Sequence, residues 1–167
     1  MNKKFQFVFL FVFLLFLQVF VLNNIQFLGY VNPYLYIIFV FFYPLDSNRF
    51  SFLFSAFMLG LCVDFFSDSG GIHAFSILFI AYIRLFFVRI FFKKTSIDFP
   101  FFNLYTEPFG KVFNYIVVLT LIHHFILFSF ANFSLQNIEQ IFINTFLSGI
   151  FTLVLFFLGA FILRKEK

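Results

Sequence analysis

Charged side chains are scarce in this sequence. Only 11% of its 167 residues are Asp, Glu, Lys or Arg, whereas 63% are hydrophobic, and the mean hydropathy is +1.04. A soluble domain carries about 25% charged residues, so this chain lacks the polar surface that would cover it in water. A shell of lipid removes that requirement. The composition therefore predicts an integral membrane protein and argues against a soluble one.

Tryptophan is absent and cysteine occurs once, as Cys62 in an apolar run. A lone thiol forms neither an internal disulfide nor a multi-cysteine metal site, so we interpret Cys62 as a packing residue. Without tryptophan, only tyrosine can supply an aromatic belt at the membrane interfaces. Six tyrosines flank two of the apolar runs, and we interpret them as that belt: Tyr30, Tyr34, Tyr36, Tyr43, Tyr105 and Tyr115.

Sequence patterns of known catalytic sites are also missing. There is no glycine-rich phosphate loop, no HExxH and no GxSxG. Ser67, Ser69 and His73 are close along the chain, but serine and histidine make no triad without a positioned third group. His123 and His124 are adjacent on a predicted helix, so they point about 100° apart and cannot both face one metal. We interpret them as hydrogen-bonded packing residues, and we expect no enzyme activity, no catalytic or metal-binding residue and no cofactor.

Long apolar runs are what the sequence has in abundance. A bilayer core needs roughly 20 apolar residues per helix. The runs predict an all-α integral membrane protein, with one transmembrane domain (residues 1–167) of about six helical spans: 5–22, 34–45, 50–66, 72–92, 112–130 and 138–163. The second run has only 12 residues, so we expect it to be thin, tilted or protected by its neighbours. No small-residue cleavage site follows the first run, which we interpret as an uncleaved helix.

Basic residues are distributed asymmetrically about these spans. Six spans return both termini to one side, and ten of the eleven Lys and Arg residues fall on that side, while Arg84 lies inside a span. By the positive-inside rule, both termini are predicted to be cytoplasmic. An odd number of spans would split the two basic ends across the membrane. The net charge of +4 then reflects topology, and we expect no nucleic-acid partner.

Two ionisable residues inside spans require a partner, an aqueous cavity or a functional reason. Asp64 lies near the outer end of the third span, where it is either hydrated at the interface or turned into the bundle near His73. Arg84 is 12 residues beyond Ile72, or about 18 Å along a helix, which is too deep for a simple ion pair with Asp64. For Arg84 we favour snorkelling toward the cytoplasmic headgroups, beside Arg89, over a buried role.

Small residues indicate which helices approach closely, because helices in lipid pack best at Gly, Ala and Ser. The first span has almost none of them. They occur at Ser55, Ala56 and Gly60 on the third span, at Ala74, Ser76 and Ala81 on the fourth, and at Ser148, Gly149, Gly159 and Ala160 on the sixth. We expect the third and fourth spans to be the most tightly paired.

The region around the turn between those two spans carries a distinct pattern. A helix ending in Gly-x-x-x-Asp is followed by a turn containing glycine, and the next helix carries an Ala-Tyr pair. This arrangement resembles the rod-shape-determining protein MreD family of bacterial wall elongation. Six positions match that family residue by residue: Gly60, Asp64, Gly71, Ala74, Ala81 and Tyr82. Asn32-Pro33, Arg49, the chain length and the number of spans also fit, whereas the phenylalanine content and the long connection 95–110 depart from it.

The resemblance implies a non-enzymatic scaffold of the elongation complex in the bacterial cytoplasmic (inner) membrane, where it helps to position peptidoglycan synthesis and maintain cell shape. The implied partners are membrane lipid, MreC, the MreB filament, RodA and a class B penicillin-binding protein. The candidate structural or partner-contact residues are Gly60, Asp64, Gly71, Ala74, Ala81, Tyr82 and Arg84.

Two alternatives to the scaffold stay open. MreD-like proteins are also similar in fold to the substrate-binding components of energy-coupling-factor vitamin transporters. Those components dock on their transport partner through a small-residue first helix, which this chain lacks, and the outer loops here are short. A membrane enzyme is the other alternative, and abolition of a turnover by Asp64→Asn with folding intact would be needed to support it.

Overall fold

Helices make up most of the chain. The computed structural model describes residues 3–27, 31–94, 98, 102–132 and 137–162. The described residues form six α-helices: α1 (Lys3–Phe16), α2 (Ile38–Phe42), α3 (Arg49–Ser67), α4 (Ile72–Phe92), α5 (Phe109–Ala131) and α6 (Ile138–Ile162). α1 continues through a π-helical turn, Leu17–Val21, and a 3-10 turn, Leu22–Asn24. With that extension, five helices are long and apolar enough to cross a membrane, so the chain is an all-α, multi-pass membrane bundle.

The helices α3 to α6 pack mainly as consecutive antiparallel neighbours, and the closest pair is α3 with α4. Gly60 makes this approach possible, since a Cβ built there would lie 2.5 Å from Ala74 Cα and 2.7 Å from His73 O. A side chain of any size at position 60 would therefore push the two helices apart. The predicted tight pairing of the third and fourth spans is confirmed.

The second apolar run does not form a full-length helix. A 3-10 turn, Leu35–Ile37, leads into the five-residue α2, and every residue of the run 34–45 is buried or half-buried. We call residues 31–45 the inner segment. Its eight helical residues cover only about 14 Å, and backbone this irregular is tolerated at membrane depth only when protein surrounds it. Of the three expectations for this run, protection by neighbouring helices is the one confirmed.

The inner segment runs from one end of the bundle to the other. Tyr34, near its start, packs against His124 with ring centroids 5.5 Å apart. Tyr43, near its end, packs against Phe7 of α1 at 5.3 Å, and Phe42 packs against Phe156 of α6 at 6.2 Å. The first part of α1 and the last part of α6 thus meet at the same end of the bundle, which agrees with an even number of passes.

We call that end the basic end, because exposed basic residues gather there at the start of α3, the end of α4 and the start of α5: Arg49, Arg89, Lys93 and Lys111. The opposite end, which contains the α3–α4 turn and the end of α5, is the distal end. Of the other basic residues used to predict the topology, Arg164, Lys165 and Lys167 lie outside the described residues, as do the side chains of Lys3 and Lys4. The predicted sixth span also extends one residue beyond them, to 163.

The prediction of an interfacial tyrosine belt is wrong for three of its six tyrosines. Tyr34, Tyr36 and Tyr115 are buried. The first two belong to the inner segment, which passes through the bundle, and Tyr115 faces inward from α5. Tyr43 is half-buried. Tyr30 and the side chain of Tyr105 lie outside the described residues.

A substitution at Gly60 tests the close approach of α3 and α4. We expect Gly60→Ala to lower the free energy of unfolding by about 1–3 kcal/mol, because the added methyl group would overpack against the backbone of α4. Gly159→Ala is the matched control, since no described atom lies within 4 Å of a Cβ at that position. There the substitution should be neutral or stabilise by up to about 1 kcal/mol. Unfolding by SDS titration in mixed micelles measures both, and equal effects would contradict the close approach.

Candidate functional site

A carboxylate from α3 caps the start of α4. Asp64 Oδ1 accepts hydrogen bonds from His73 N (2.9 Å) and from Ser69 Oγ (2.6 Å), and its Oδ2 accepts one from Ala74 N (2.7 Å). The residue before the helix, Gly71, has no side chain with which to cap it, and the positive end of the helix dipole favours an anion at this position. Asp64 is only 4% exposed, so it is turned into the bundle, and the hydrated alternative is wrong. Its partner at position 73 is the backbone amide.

The glycines of the same pattern serve this contact. Gly71 has φ +96°, a left-handed conformation that glycine adopts without strain and that lets α4 begin directly beneath Asp64. Gly60, one turn before Asp64, brings the two backbones together at Ala74. We call Gly60, Asp64, Gly71 and Ala74 the α3–α4 clasp. The structure brings these four predicted residues into a single arrangement.

A buried tyrosine joins two histidines beneath the clasp. The Tyr36 hydroxyl lies 2.9 Å from His73 Nδ1 and 2.9 Å from His123 Nε2. A phenol has one proton, so it donates to one imidazole and accepts from the other. The choice of protonated ring nitrogen in His73 therefore determines the choice in His123, because both rings bond to the same Tyr36 hydroxyl. Among the described residues, His123 Nδ1 has no hydrogen-bond partner.

His124 points to a different neighbour. Its Nδ1 lies 2.8 Å from the Thr120 carbonyl and its Nε2 lies 3.0 Å from Thr152 Oγ1 on α6. Because a carbonyl oxygen can only accept, Nδ1 carries the proton. Nε2 is then an acceptor that faces the Thr152 hydroxyl, and Thr152 Oγ1 itself accepts a hydrogen bond from Tyr34 N at 2.9 Å, which ties the start of the inner segment to α6. The prediction that His123 and His124 are hydrogen-bonded packing residues is confirmed, and no cluster of three His, Cys, Asp or Glu residues suited to a metal occurs in the described part of the chain.

Arg84 holds the opposite end of the inner segment. One guanidinium nitrogen donates to Phe41 O (3.1 Å) and to Tyr43 O (2.6 Å), where α2 ends and its carbonyls lack helical partners. The guanidinium carbon lies 5.2 Å from the centre of the Phe52 ring, a favourable cation–π distance. Arg84 is 2% exposed, so the favoured prediction of snorkelling is wrong. The unpaired carbonyls of the inner segment lie nearer than the headgroups and are costlier to leave unsatisfied.

The last two candidate residues differ from each other. Ala81 is buried between helices, whereas Tyr82 is 61% exposed on the outer face of α4. The guanidinium carbon of Arg49 lies 5.2 Å from the centre of the Tyr82 ring. Of the seven candidates, Tyr82 alone presents its side chain outward.

A polar cavity of about 350 Å³ opens at the distal end; we call it the distal cavity. Apolar walls come from Phe66, Ile72 and Phe128, and Tyr34 also lines the cavity. The polar side chains of its lining are Asn23, Asn24, Asn32, Ser67, Ser69 and His73. Its residues come from α1, the inner segment, α3, α4 and α5, so the cavity is a product of the whole distal end.

Three residues that matter here were not singled out from the sequence. Gln18, in the π-helical turn of α1, is fully buried and donates to Pro33 O (3.0 Å) and Asn23 Oδ1 (2.8 Å). The interpretation of Tyr36 as an interfacial residue is wrong, and Thr152 is not among the candidate residues. For Gln18 and Thr152 the available signal was an isolated polar side chain within an apolar run, which is costly in lipid unless a partner exists.

Comparison with known proteins identifies no relative: no family model, no curated protein and no solved structure matches the chain. The resemblance to the MreD family stays a prediction, carried by the α3–α4 clasp together with Ala81 and Tyr82. Function must therefore be inferred from the arrangement of the residues themselves.

Two aspartates four residues apart allow a matched test of the clasp. Asp64→Asn removes the charge and one acceptor from the start of α4, and we expect it to lower the free energy of unfolding by about 2 kcal/mol. Asp68→Asn makes the same change at an exposed residue with φ +50°, a conformation that asparagine tolerates. Its effect should stay within about 0.5 kcal/mol. SDS titration measures both, and equal losses would mean that Asp64 does not cap α4.

A second pair of variants tests the role of Arg84. Arg84→Met keeps much of the volume but leaves the carbonyls of Phe41 and Tyr43 unpaired, and we expect a loss of about 2–4 kcal/mol in unfolding free energy. Arg89→Met, at an exposed position on the same helix, should change it by about 0.5 kcal/mol or less. If Arg84→Met were as mild as Arg89→Met, the inner segment would not depend on this arginine.

Proposed function

We propose that the chain is a non-enzymatic scaffold subunit of the bacterial cell-wall elongation complex, placed in the cytoplasmic (inner) membrane with its basic end in the cytoplasm. In this role it binds the membrane helices of MreC, RodA and a class B penicillin-binding protein, and it helps to position peptidoglycan synthesis relative to the MreB filament. The proposal starts from the resemblance of six positions to the MreD family. The geometry of those positions supports it in two ways.

The first support is that the resembling residues form a coherent unit. Gly60, Asp64, Gly71 and Ala74 all serve one helix-to-helix contact, the α3–α4 clasp. A pattern that arose by chance in an apolar sequence would have no reason to converge on one contact. The resemblance therefore concerns the residues that set the fold of the distal end.

The second support, and the observation that carries the proposal, is the exposure of Tyr82. The other five matched positions are either buried between helices or occupied by glycine, so they present no side chain to another protein. Tyr82 projects from the outer face of α4 beside Arg49. Tyrosine and arginine are the residue types most enriched in the energetically dominant parts of interfaces. We therefore propose the Tyr82–Arg49 pair as a contact for a partner helix.

The proposed function is tested in the native cells. We expect deletion of the chain to round the cells, and the restored tagged chain to recover MreC, RodA and the penicillin-binding protein after cross-linking in native membranes, as identified by mass spectrometry. Rod shape and normal wall growth after a clean deletion would contradict the scaffold. Recovery of ATPase-coupled transport subunits in place of these partners would overturn it in favour of a substrate-binding transport component.

The contact itself is tested by Tyr82→Ala. We expect this variant to lower partner recovery at least tenfold, about 1.4 kcal/mol, while the chain keeps its wild-type resistance to SDS, because Tyr82 is exposed. Phe65→Ala is the matched control, since it truncates another exposed aromatic residue at the other end of the bundle. Unchanged recovery with Tyr82→Ala would remove Tyr82 from the interface and leave the scaffold test to decide the function.

A further inference from the structure

We propose that the distal cavity is a binding site for an uncharged, hydroxyl-bearing molecule of about hexose size, with His73 as its central hydrogen-bonding group. The inference does not depend on the proposed function, since either a scaffold or a transport component could carry such a site. It rests on the charge, the size and the unused hydrogen-bonding groups of the cavity.

The described lining of the cavity offers no charged side chain that could pair with an ionic occupant. None of the residues that line the cavity in the described part of the chain is Lys, Arg, Asp or Glu. The nearest carboxylate, Asp64, is buried and already accepts three hydrogen bonds. Taking an ion out of water without an opposite charge is costly. An uncharged molecule avoids that cost.

The size of the cavity and its aromatic walls favour a ring-shaped molecule with apolar C–H faces and a polar edge. A water molecule occupies about 30 Å³ in the liquid, so 350 Å³ holds roughly a dozen non-hydrogen atoms, as in a hexose or a cyclitol. Tyr34, Phe66 and Phe128 supply flat aromatic walls, which suit the C–H faces of such a ring. The asparagine and serine side chains supply polar groups for its edge.

Several of those polar groups retain hydrogen-bonding capacity. Asn24 uses its Nδ2 on the carbonyls of Val19 and Phe20, and its Oδ1 has no partner among the described residues. Ser67 accepts from Asn23 and keeps its own proton, and Ser69 donates to Asp64 and keeps its lone pairs. The cavity therefore offers both donors and acceptors. A molecule with hydroxyl groups uses both.

His73 is the best-positioned of these groups. Its ring is held by Tyr36 at Nδ1 and by Tyr34, whose ring centroid lies 5.3 Å away. Its Nε2 makes no hydrogen bond within the described residues, and the side chain lines the cavity. When Tyr36 donates to Nδ1, Nε2 carries the proton and acts as a donor. When Tyr36 instead donates to His123, Nε2 becomes an acceptor. A hydroxyl group can both donate and accept, so it can bond to Nε2 in either protonation state. A group that only donates or only accepts can bond to Nε2 in one state alone.

The chain contains only three histidines, so ring-nitrogen NMR reports on the site directly. The full chain, labelled with ¹⁵N-imidazole histidine, is placed in phosphatidylcholine nanodiscs and titrated with D-glucose, D-galactose and myo-inositol. We expect at least one of these probes to shift the His73 Nε2 resonance saturably in the millimolar range, with His124 unmoved. Glucuronate, which has the same ring and a carboxylate, should leave His73 unmoved.

The distal end lies where headgroups would lie, so the same chemistry can come from a free sugar or from a glycolipid headgroup. A parallel sample contains monoglucosyldiacylglycerol in the nanodisc. A response to free glucose identifies a soluble sugar as sufficient, and a response to the glycolipid alone identifies a headgroup site; either supports the proposal. No His73 shift with any of these uncharged probes would overturn it, as would an equal shift with glucuronate.

A blocking variant locates the binding. Ala131, at the end of α5, lines the cavity, so Ala131→Leu should fill part of it and weaken binding at least tenfold. Ala160→Leu makes the same change at an exposed position on α6, outside the cavity, and should bind like the wild type. Unchanged His124 resonances show that the variant bundle is intact. Wild-type affinity in an intact Ala131→Leu chain would overturn the assignment to this cavity.

Discussion

Inside hydrocarbon, the ends of a helix are its most expensive part, because four amides or four carbonyls have no partner within the helix. At two buried helix ends in the described part of the chain, a charged side chain from a different element reaches the unpaired backbone groups. Asp64 of α3 accepts from the first amides of α4, and Arg84 of α4 donates to the last carbonyls of the inner segment. The two charged side chains that look anomalous in an apolar sequence thus form hydrogen bonds with backbone groups that have no partner within their own helix.

These contacts also explain where the sequence allows prediction and where it does not. The long spans and the tight pairing of α3 with α4 depend on composition and on small residues near each other along the chain, and both were predicted. The partners of Arg84 and Tyr36 depend on the path of the inner segment, which no periodicity encodes. Once that run is known to pass through the bundle, its tyrosines must be internal, and its carbonyls become the nearest acceptors for Arg84.

The buried hydrogen bonds form two linked sets that hold the inner segment in place. One joins Tyr36 to α4 and α5 through His73 and His123, and the other joins the backbone of Tyr34 to α6 and α5 through Thr152 and His124. Side chains from three helices therefore fix a stretch that has too little helix of its own to be stable in lipid. Two of these residues, Tyr34 and His73, also line the distal cavity, so the bonds that hold the inner segment also fix part of the cavity wall.

The shortness of the inner segment has a consequence for biogenesis. A run of this length is poorly recognised as a span during insertion, and its backbone cannot leave water until other helices surround it. If it did not cross the membrane, α3 would begin on the side where α1 ends, and Arg49 would be separated from the other basic residues of the basic end. Stable insertion of residues 31–45 therefore depends on the helices that surround them and not on their own length, so these residues and their neighbours must enter the membrane as one unit.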